Sequence, residues 1–155
     1  MKNKGFTLIE LIVVIVVLGI LAVTAAPKFM DIQGDAKKAT LSGVNGALKG
    51  AEGITFGKAA LAGLDKGAGK IEVNGEEIIV IYGVPVASKD NLDKIMDTDI
   101  NVFDGTTNAQ KNPYVVFGFQ DTVKAITDSK CYLEARNVQK NNTVIFETEI
   151  IAEGC

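Results

Sequence analysis

The feature that most constrains this chain is an apolar run near its start, from Phe6 to Pro27. The run has 22 residues, and Glu10 is its single charged residue. As an α-helix it is about 33 Å long, enough to cross a hydrocarbon core of roughly 30 Å. Residues 12–17 are all β-branched and favour a strand in water, but lipid offers no partner for open backbone groups. We therefore expect a helix that spans a membrane.

An ionised Glu10 is costly in hydrocarbon, so we expect it to have a partner or a task. Two other interpretations remain open. The carboxylate could lie close enough to the helix end to reach the lipid headgroups. Alternatively, residues 1–26 could be a secretory signal peptide, with Lys2 and Lys4 as its basic region and the small residues 24–26 as its cleavage site. Glu10 argues against the signal peptide.

Residues 4–10, Lys-Gly-Phe-Thr-Leu-Ile-Glu, precede the long apolar helix and resemble the class III signal of type IV pilins and type II secretion pseudopilins. The resemblance implies that a prepilin peptidase cuts between Gly5 and Phe6 and methylates the new N-terminus on Phe6. Residues 1–5 are then a leader, residues 6–27 a retained transmembrane and assembly helix, and residues 28–155 a soluble head domain. Residues 22–29, residues 83–88 and the cysteines at 131 and 155 are also similar to the major pilin of the mannose-sensitive haemagglutinin (MSHA) type.

This resemblance implies the structural subunit of an extracellular pilus used for surface attachment. Such a subunit is held in the inner membrane as a precursor and then forms a helical homopolymer with the help of the pilus assembly machinery. A type II secretion pseudopilin or a minor pilin is the first alternative, and a membrane-anchored or secreted enzyme is the second. Three residues of the helix are expected to act in assembly. Glu10 would pair with the α-amino group exposed at Phe6, and the backbone between Gly19 and Pro27 would lose its helical structure in the fibre.

Charge and composition argue against several other classes of function. The net charge is -3, and loss of Lys2 and Lys4 leaves 14 basic and 19 acidic residues, which does not indicate nucleic-acid binding. The chain has no histidine, so Ser-His and Cys-His nucleophile pairs are excluded. We find no set of catalytic residues and expect no cofactor or metal. Residues 97–101 have the spacing that opens a calcium loop, but Val102 and Asn108 stand where that loop needs glycine and glutamate.

The chain contains two cysteines, Cys131 and Cys155, near its end. An even count in an exported protein predicts a disulfide. In the chain-entropy model, a disulfide that closes a loop of this size stabilises the fold by roughly 3.5 kcal/mol. Two free buried thiols in a cytosolic protein are the alternative.

Residues 28 to about 64 are expected to continue the helix in amphipathic form. Its apolar stripe is predicted to consist of Phe29, Ile32, Ala36, Ala47, Ala51, Ile54 and Leu61. Glycines at 43, 46, 50, 53 and 57 should line one edge of that stripe. Each weakens a helix by about 1 kcal/mol relative to alanine, so we expect the row to form a smooth groove against a sheet or a neighbouring subunit's helix. A loosely specified glycine-rich loop is the alternative.

The rest of the chain predicts strands, which gives an α+β fold with the long helix packed against an antiparallel sheet. Asn74-Gly75 lies between two apolar runs and predicts a hairpin. Ser88 is expected to cap a short helix. Residues 114–119 and 123–127 are predicted to be paired strands, and the alternating residues on either side of Asn141-Asn142 predict a last hairpin.

Overall fold

A computed structural model describes residues 7–105 and 114–155, with the backbone alone described at residues 26, 27 and 29–31. The chain divides into two compact units, residues 1–36 and 37–155. Helix α1 runs over Leu8–Leu61. The expected class, a long N-terminal helix with an apolar first half followed by antiparallel strands, is confirmed.

Two antiparallel sheets follow the helix. The first contains β1 (Ala68–Val73), β2 (Glu76–Ile81) and β3 (Val84–Pro85) in that order. A short helix α2 (Lys89–Asp93) leads to the second sheet, in the order β4 (Asn101–Gly105), β5 (Tyr114–Gly118), β6 (Tyr132–Lys140) and β7 (Thr143–Ile151), with helix α3 (Val123–Ser129) between β5 and β6. The predicted hairpins at Asn74-Gly75 and Asn141-Asn142 are both confirmed.

The main core lies between the second half of α1 and the four-stranded sheet. Its largest fully buried members are Leu41, Leu48, Leu92, Val115, Phe117 and Leu133. Lys49 holds α1 to the outer strand of this sheet, because its ammonium donates to the carbonyl of Phe146 at 3.0 Å and lies 5.6 Å from the centre of the Phe146 ring. A smaller core packs Ala59 against the buried residues of β1 and β2.

The predicted packing side of α1 is wrong. Of the predicted apolar stripe only Ala51 is buried, while Ile54 and Leu61 are 60% and 92% exposed. Ile32, Ala36 and Ala47 are exposed as well, and the side chain of Phe29 lies outside the described ones. The helix instead docks through a neighbouring side, whose buried residues recur at the same period and share only Ala51 with the predicted stripe: Leu41, Val44, Leu48, Ala51, Thr55 and Ala59. The hydroxyl of Thr55 donates to the carbonyl of Ala51 at 2.7 Å, so this polar residue is satisfied inside the core.

Residues 123–127 form the start of helix α3, so the predicted strand there is wrong. The β-branched residues suggested a strand, but the hydroxyl of Thr122 accepts from the Ala125 N–H at 3.2 Å and caps a helix. Ile126 then packs on Gly118, where a Cβ atom would lie 2.7 Å from the Ile126 side chain. The strand that pairs with β5 on that side is β4, which the sequence had not predicted.

Ser88 occupies the N-cap position of α2 as predicted, but its side chain makes no capping hydrogen bond. The segment between β2 and α2 is held by two asparagines instead. The side-chain amide of Asn91 accepts a hydrogen bond from the Ile79 N–H and donates one to the Ile79 carbonyl. The side-chain amide of Asn137 accepts from the Ala87 N–H and donates to the Pro85 carbonyl. These side chains add hydrogen bonds to backbone groups on either side of the two-residue strand β3.

Candidate assembly interface

The first part of α1 exposes an apolar surface along its whole length. Residues Leu8–Ala25 have a mean hydropathy of 3.0, and 0% of this window is buried. The exposed fractions of Ile9, Val13 and Ile20 are 70%, 55% and 63%. By length and composition this helix can cross a membrane. Thr24, a polar residue within it, turns its hydroxyl back to the carbonyl of Leu21 at 3.0 Å, so its donor is satisfied within the helix.

Glu10 lies in the first turn of α1 and bonds Thr7. Its carboxylate accepts from both the N–H and the hydroxyl of Thr7 at 2.8 Å, and the Glu10 N–H points at the Thr7 hydroxyl at 3.3 Å. This reciprocal pair is a capping box, which satisfies N–H groups that a helix start leaves unpaired. Thr7 was not among the residues predicted from the sequence, although Thr followed three residues later by Glu before an apolar run is the pattern that signals this cap.

Four other residues near the N-terminus were predicted to act in processing or assembly, namely Gly5, Phe6, Gly19 and Pro27. Gly5 and Phe6, where cleavage and methylation are expected, lie outside the described residues. Gly19 and Pro27 lie within α1, whose helical backbone runs unbroken past both in this single chain. The expected loss of helix between them concerns the assembled fibre, so it stays a prediction.

The side of α1 that faces away from the sheets carries the predicted glycines. We define the outward stripe as Gly43, Gly46, Ala47, Gly50, Gly53, Ile54, Gly57 and Leu61, all of which are exposed. A Cβ atom built on any of the five glycines would meet nothing within 4 Å. The glycines do line the predicted apolar stripe, but no described sheet packs on it. The groove is therefore open to a neighbouring molecule.

Cys131 and Cys155 form a disulfide, which closes a segment with a sequence separation of 24. The tail is also fixed by its backbone, since the Gly154 N–H donates to the carbonyl of Lys130 at 2.9 Å. A Cβ atom at Gly154 would lie 1.9 Å from the Ser129 carbonyl oxygen, so only glycine fits there. The last residues are thus attached firmly to the end of α3.

The acidic segment near Asp97 does not assemble a metal centre within the described ranges 7–105 and 114–155, where no group of three acidic, cysteine or histidine side chains is placed to hold an ion. Asp97 and Asp99 are exposed, and Asn101 begins strand β4. Asn108, the other residue considered for a calcium loop, lies outside the described residues.

The prokaryotic N-terminal methylation motif matches residues 1–26. Over 54 residues the chain is 44% identical to the type IV narrow pilus major component PilA5 of Thermus thermophilus, an alignment that covers 35% of this chain and 47% of that protein. The chain therefore matches about half the length of this relative, and no solved structure matches it. The chain thus carries the methylation motif and, over about a third of its length, is similar to a type IV pilin.

Proposed function

We propose that this chain is the structural subunit of an extracellular type IV pilus and polymerises through its N-terminal helix. The observation that carries the proposal is the Leu8–Ala25 window, in which 0% of the residues are buried. An apolar surface of this length is unstable in water and must be covered by other apolar groups. In the precursor the lipid bilayer covers it, and in the fibre the same helices of neighbouring copies cover it.

Glu10 gives this assembly its register. Cleavage before Phe6 creates an α-amino group that is largely cationic at neutral pH, four residues from Glu10. In the fibre core this amine, on the same or an adjacent subunit, pairs with the carboxylate, and each charge offsets the desolvation of the other. Before assembly the bonds from Thr7 already satisfy one carboxylate oxygen, Oε2, which lowers the cost of holding Glu10 in the membrane.

The backbone between Gly19 and Pro27 is the part of the helix that costs least to unwind. Gly19 is a weak helix former, and Pro27 removes a backbone donor. Unwinding there changes the length and direction of the helix. The N-terminal helices in the fibre core can then pack independently of the heads. A filament map with regular helix from Leu11 through Leu41 would contradict this step.

The outward stripe supplies a second contact between subunits. Its five glycines weaken an exposed helix by about 1 kcal/mol each relative to alanine, and no packing within the described part of the subunit compensates for them. Close approach of a neighbouring helix would compensate, because small residues let two backbones come together. Ile54 and Leu61, which lie on the same stripe, are then covered as well.

The leader, the methyl group on Phe6 and the MSHA-type assignment belong to this proposal. The MSHA assignment is supported by residues 83–88 and by the Cys131–Cys155 pair. Type II secretion pseudopilins share the N-terminal signal, so the test must separate a surface pilus from a secretion fibre. No arrangement among the described residues favours an enzyme.

Mass spectrometry and electron microscopy of the native organism test the proposal together. We expect a mature chain that begins at Phe6 with one methyl group, and surface filaments that contain it and disappear when its gene is deleted. A mature N-terminus after Ala25 or Ala26 would establish a signal peptide instead. Normal surface filaments in the deletion strain, with a secretion defect, would indicate a pseudopilin.

A further inference from the structure

The turn of the β6–β7 hairpin consists of Asn141 and Asn142. Their φ angles are 48° and 64°, and Lys140 pairs with Thr143 across the turn. Positive φ at both central residues is the type I′ geometry that asparagine tolerates better than most residues. Residues 139–143 are all exposed. The turn geometry accounts for the two asparagines but does not require a hydroxyl residue after them.

Asn141-Asn142-Thr143 is also an N-x-Thr sequence, the acceptor pattern for N-linked glycans on exported proteins. Asn141 is the one asparagine of the full sequence that is followed two residues later by serine or threonine. Within the described part of the chain, the side chains of these three residues make no hydrogen bond to another residue. The amide and the hydroxyl are therefore both accessible to an enzyme.

We propose that Asn141 is an N-glycosylation site. The reaction joins the amide nitrogen of Asn141 to C1 of a sugar carried by a polyprenyl-diphosphate donor. The bond between C1 and the diphosphate oxygen breaks, its electron pair leaves with the polyprenyl diphosphate, and the amide proton passes to a base or water. No oxidant or reductant is needed. The site rests on the proposed function, since export brings the head to the side of the membrane where such a donor is used.

The hairpin tip accommodates such a group without a change in the fold. The buried residues of this hairpin, Leu133, Ala135 and Phe146, lie away from the turn, so a sugar at Asn141 extends into solvent. Strand β7 is the outer strand of its sheet and begins at Thr143. A bulky hydrophilic group beside its first residue hinders edge-to-edge pairing with other chains, a known hazard of outer strands.

The β1–β2 hairpin provides a matched control within the same molecule. Its turn, Asn74-Gly75, has φ angles of 54° and 84° and is exposed as well. The residue two places after Asn74 is Glu76, which carries no hydroxyl. Turn geometry alone would make both asparagines acceptors, whereas the N-x-Thr pattern selects Asn141.

The test uses mature protein isolated from the native organism, reduced, digested with trypsin and analysed by mass spectrometry. We expect sugar residues on Asn141 in the peptide that ends at Cys155, and an unmodified Asn74 in the peptide of residues 71–89. Asn141→Gln and Thr143→Ala should abolish the modification, while Thr143→Ser and Asn142→Gln should keep it. Circular dichroism of each variant checks that the head remains folded.

The same digest separates failure of this inference from failure of the proposed function. A chain that begins at methylated Phe6 with an unmodified Asn141 overturns the glycosylation site alone. Sugar that persists in Asn141→Gln, or equal modification of Asn74, also overturns it. A chain that still begins at Met1 and carries no sugar contradicts both.

Discussion

Residues 8–25 and residues 37–155 contain the same kinds of apolar side chain but differ in how far these side chains are buried. Leu18 in the first region is 58% exposed, whereas Leu48 in the second is 1% exposed, although both lie on the same helix α1. The second region has sheets that cover one side of its helix, and the first has no described element that packs on it. Burial within one chain therefore stabilises residues 37–155, whereas no described part of the chain covers the apolar side chains of residues 8–25.

Of the changes considered, replacing Glu10 by alanine should have the largest effect, and this effect should be on assembly through the N-terminal helix. We expect membrane insertion and cleavage before Phe6 to continue but filament yield to fall at least tenfold, because the paired amine loses its partner in an apolar core. Glu10→Asp should be impaired less, and Thr7→Val less still, since the Phe6 amine keeps its partner. Wild-type filament yield from Glu10→Ala, at equal protein in the membrane, would refute the role of this carboxylate.

Leu48→Ala and Leu18→Ala form a matched pair that tests whether the two regions are independent. Truncation of the buried Leu48 should lower the free energy of unfolding of the head by about 2 to 5 kcal/mol. The same change at the exposed Leu18 should leave it within roughly 0.5 kcal/mol. Urea unfolding of the full-length protein in detergent micelles measures both. Equal losses in the two variants would mean that the N-terminal helix contributes to the head.

The disulfide should stabilise the head alone. Replacing Cys131 and Cys155 by serine should lower the free energy of unfolding by about 2 to 4 kcal/mol, because the unfolded chain loses its cross-link. Insertion of residues 8–25 into membranes should not change. Non-reducing peptide mapping of intact filaments should link the two cysteines, and recovery of two free thiols would contradict the bond.

Gly50→Ala and Gly50→Leu should show whether Gly50 matters for the stability of the helix or for assembly. Their expected effect on the free energy of unfolding is the smallest of the four predictions. Nothing lies within 4 Å of a Cβ at this position, so alanine should raise the stability of the head by up to about 1 kcal/mol. Leucine should fold as well but reduce filament yield, because it fills the groove of the outward stripe. Ser42→Ala, a change at another exposed residue of the same helix, serves as the control for assembly. Normal filaments from Gly50→Leu would show that the stripe is not a subunit contact.

The sequence predicted local features well where one physical signal dominated. The apolar run, the two asparagine turns and the terminal disulfide each follow from length, backbone conformation or cysteine count. The sequence also identified a stripe of glycine and small apolar residues on α1. It could not decide which side of the helix the head covers, because Leu41, Val44 and Leu48 recur at the same period as the residues chosen. The side of α1 that is buried is the one whose side chains fill the core at the packing density of a protein interior.

What the sequence by itself determined is therefore the long helix, its exposed apolar start with a single carboxylate, and the hairpins of the head. The tertiary structure decided that residues 123–127 form a helix rather than a strand, because Ile126 packs on Gly118 of strand β5. It also decided that Asn91 and Asn137 hold the segment before α2, and that the outward stripe remains open. Local signals depend on neighbours in the chain, whereas these outcomes depend on residues that meet only after the sheets have formed.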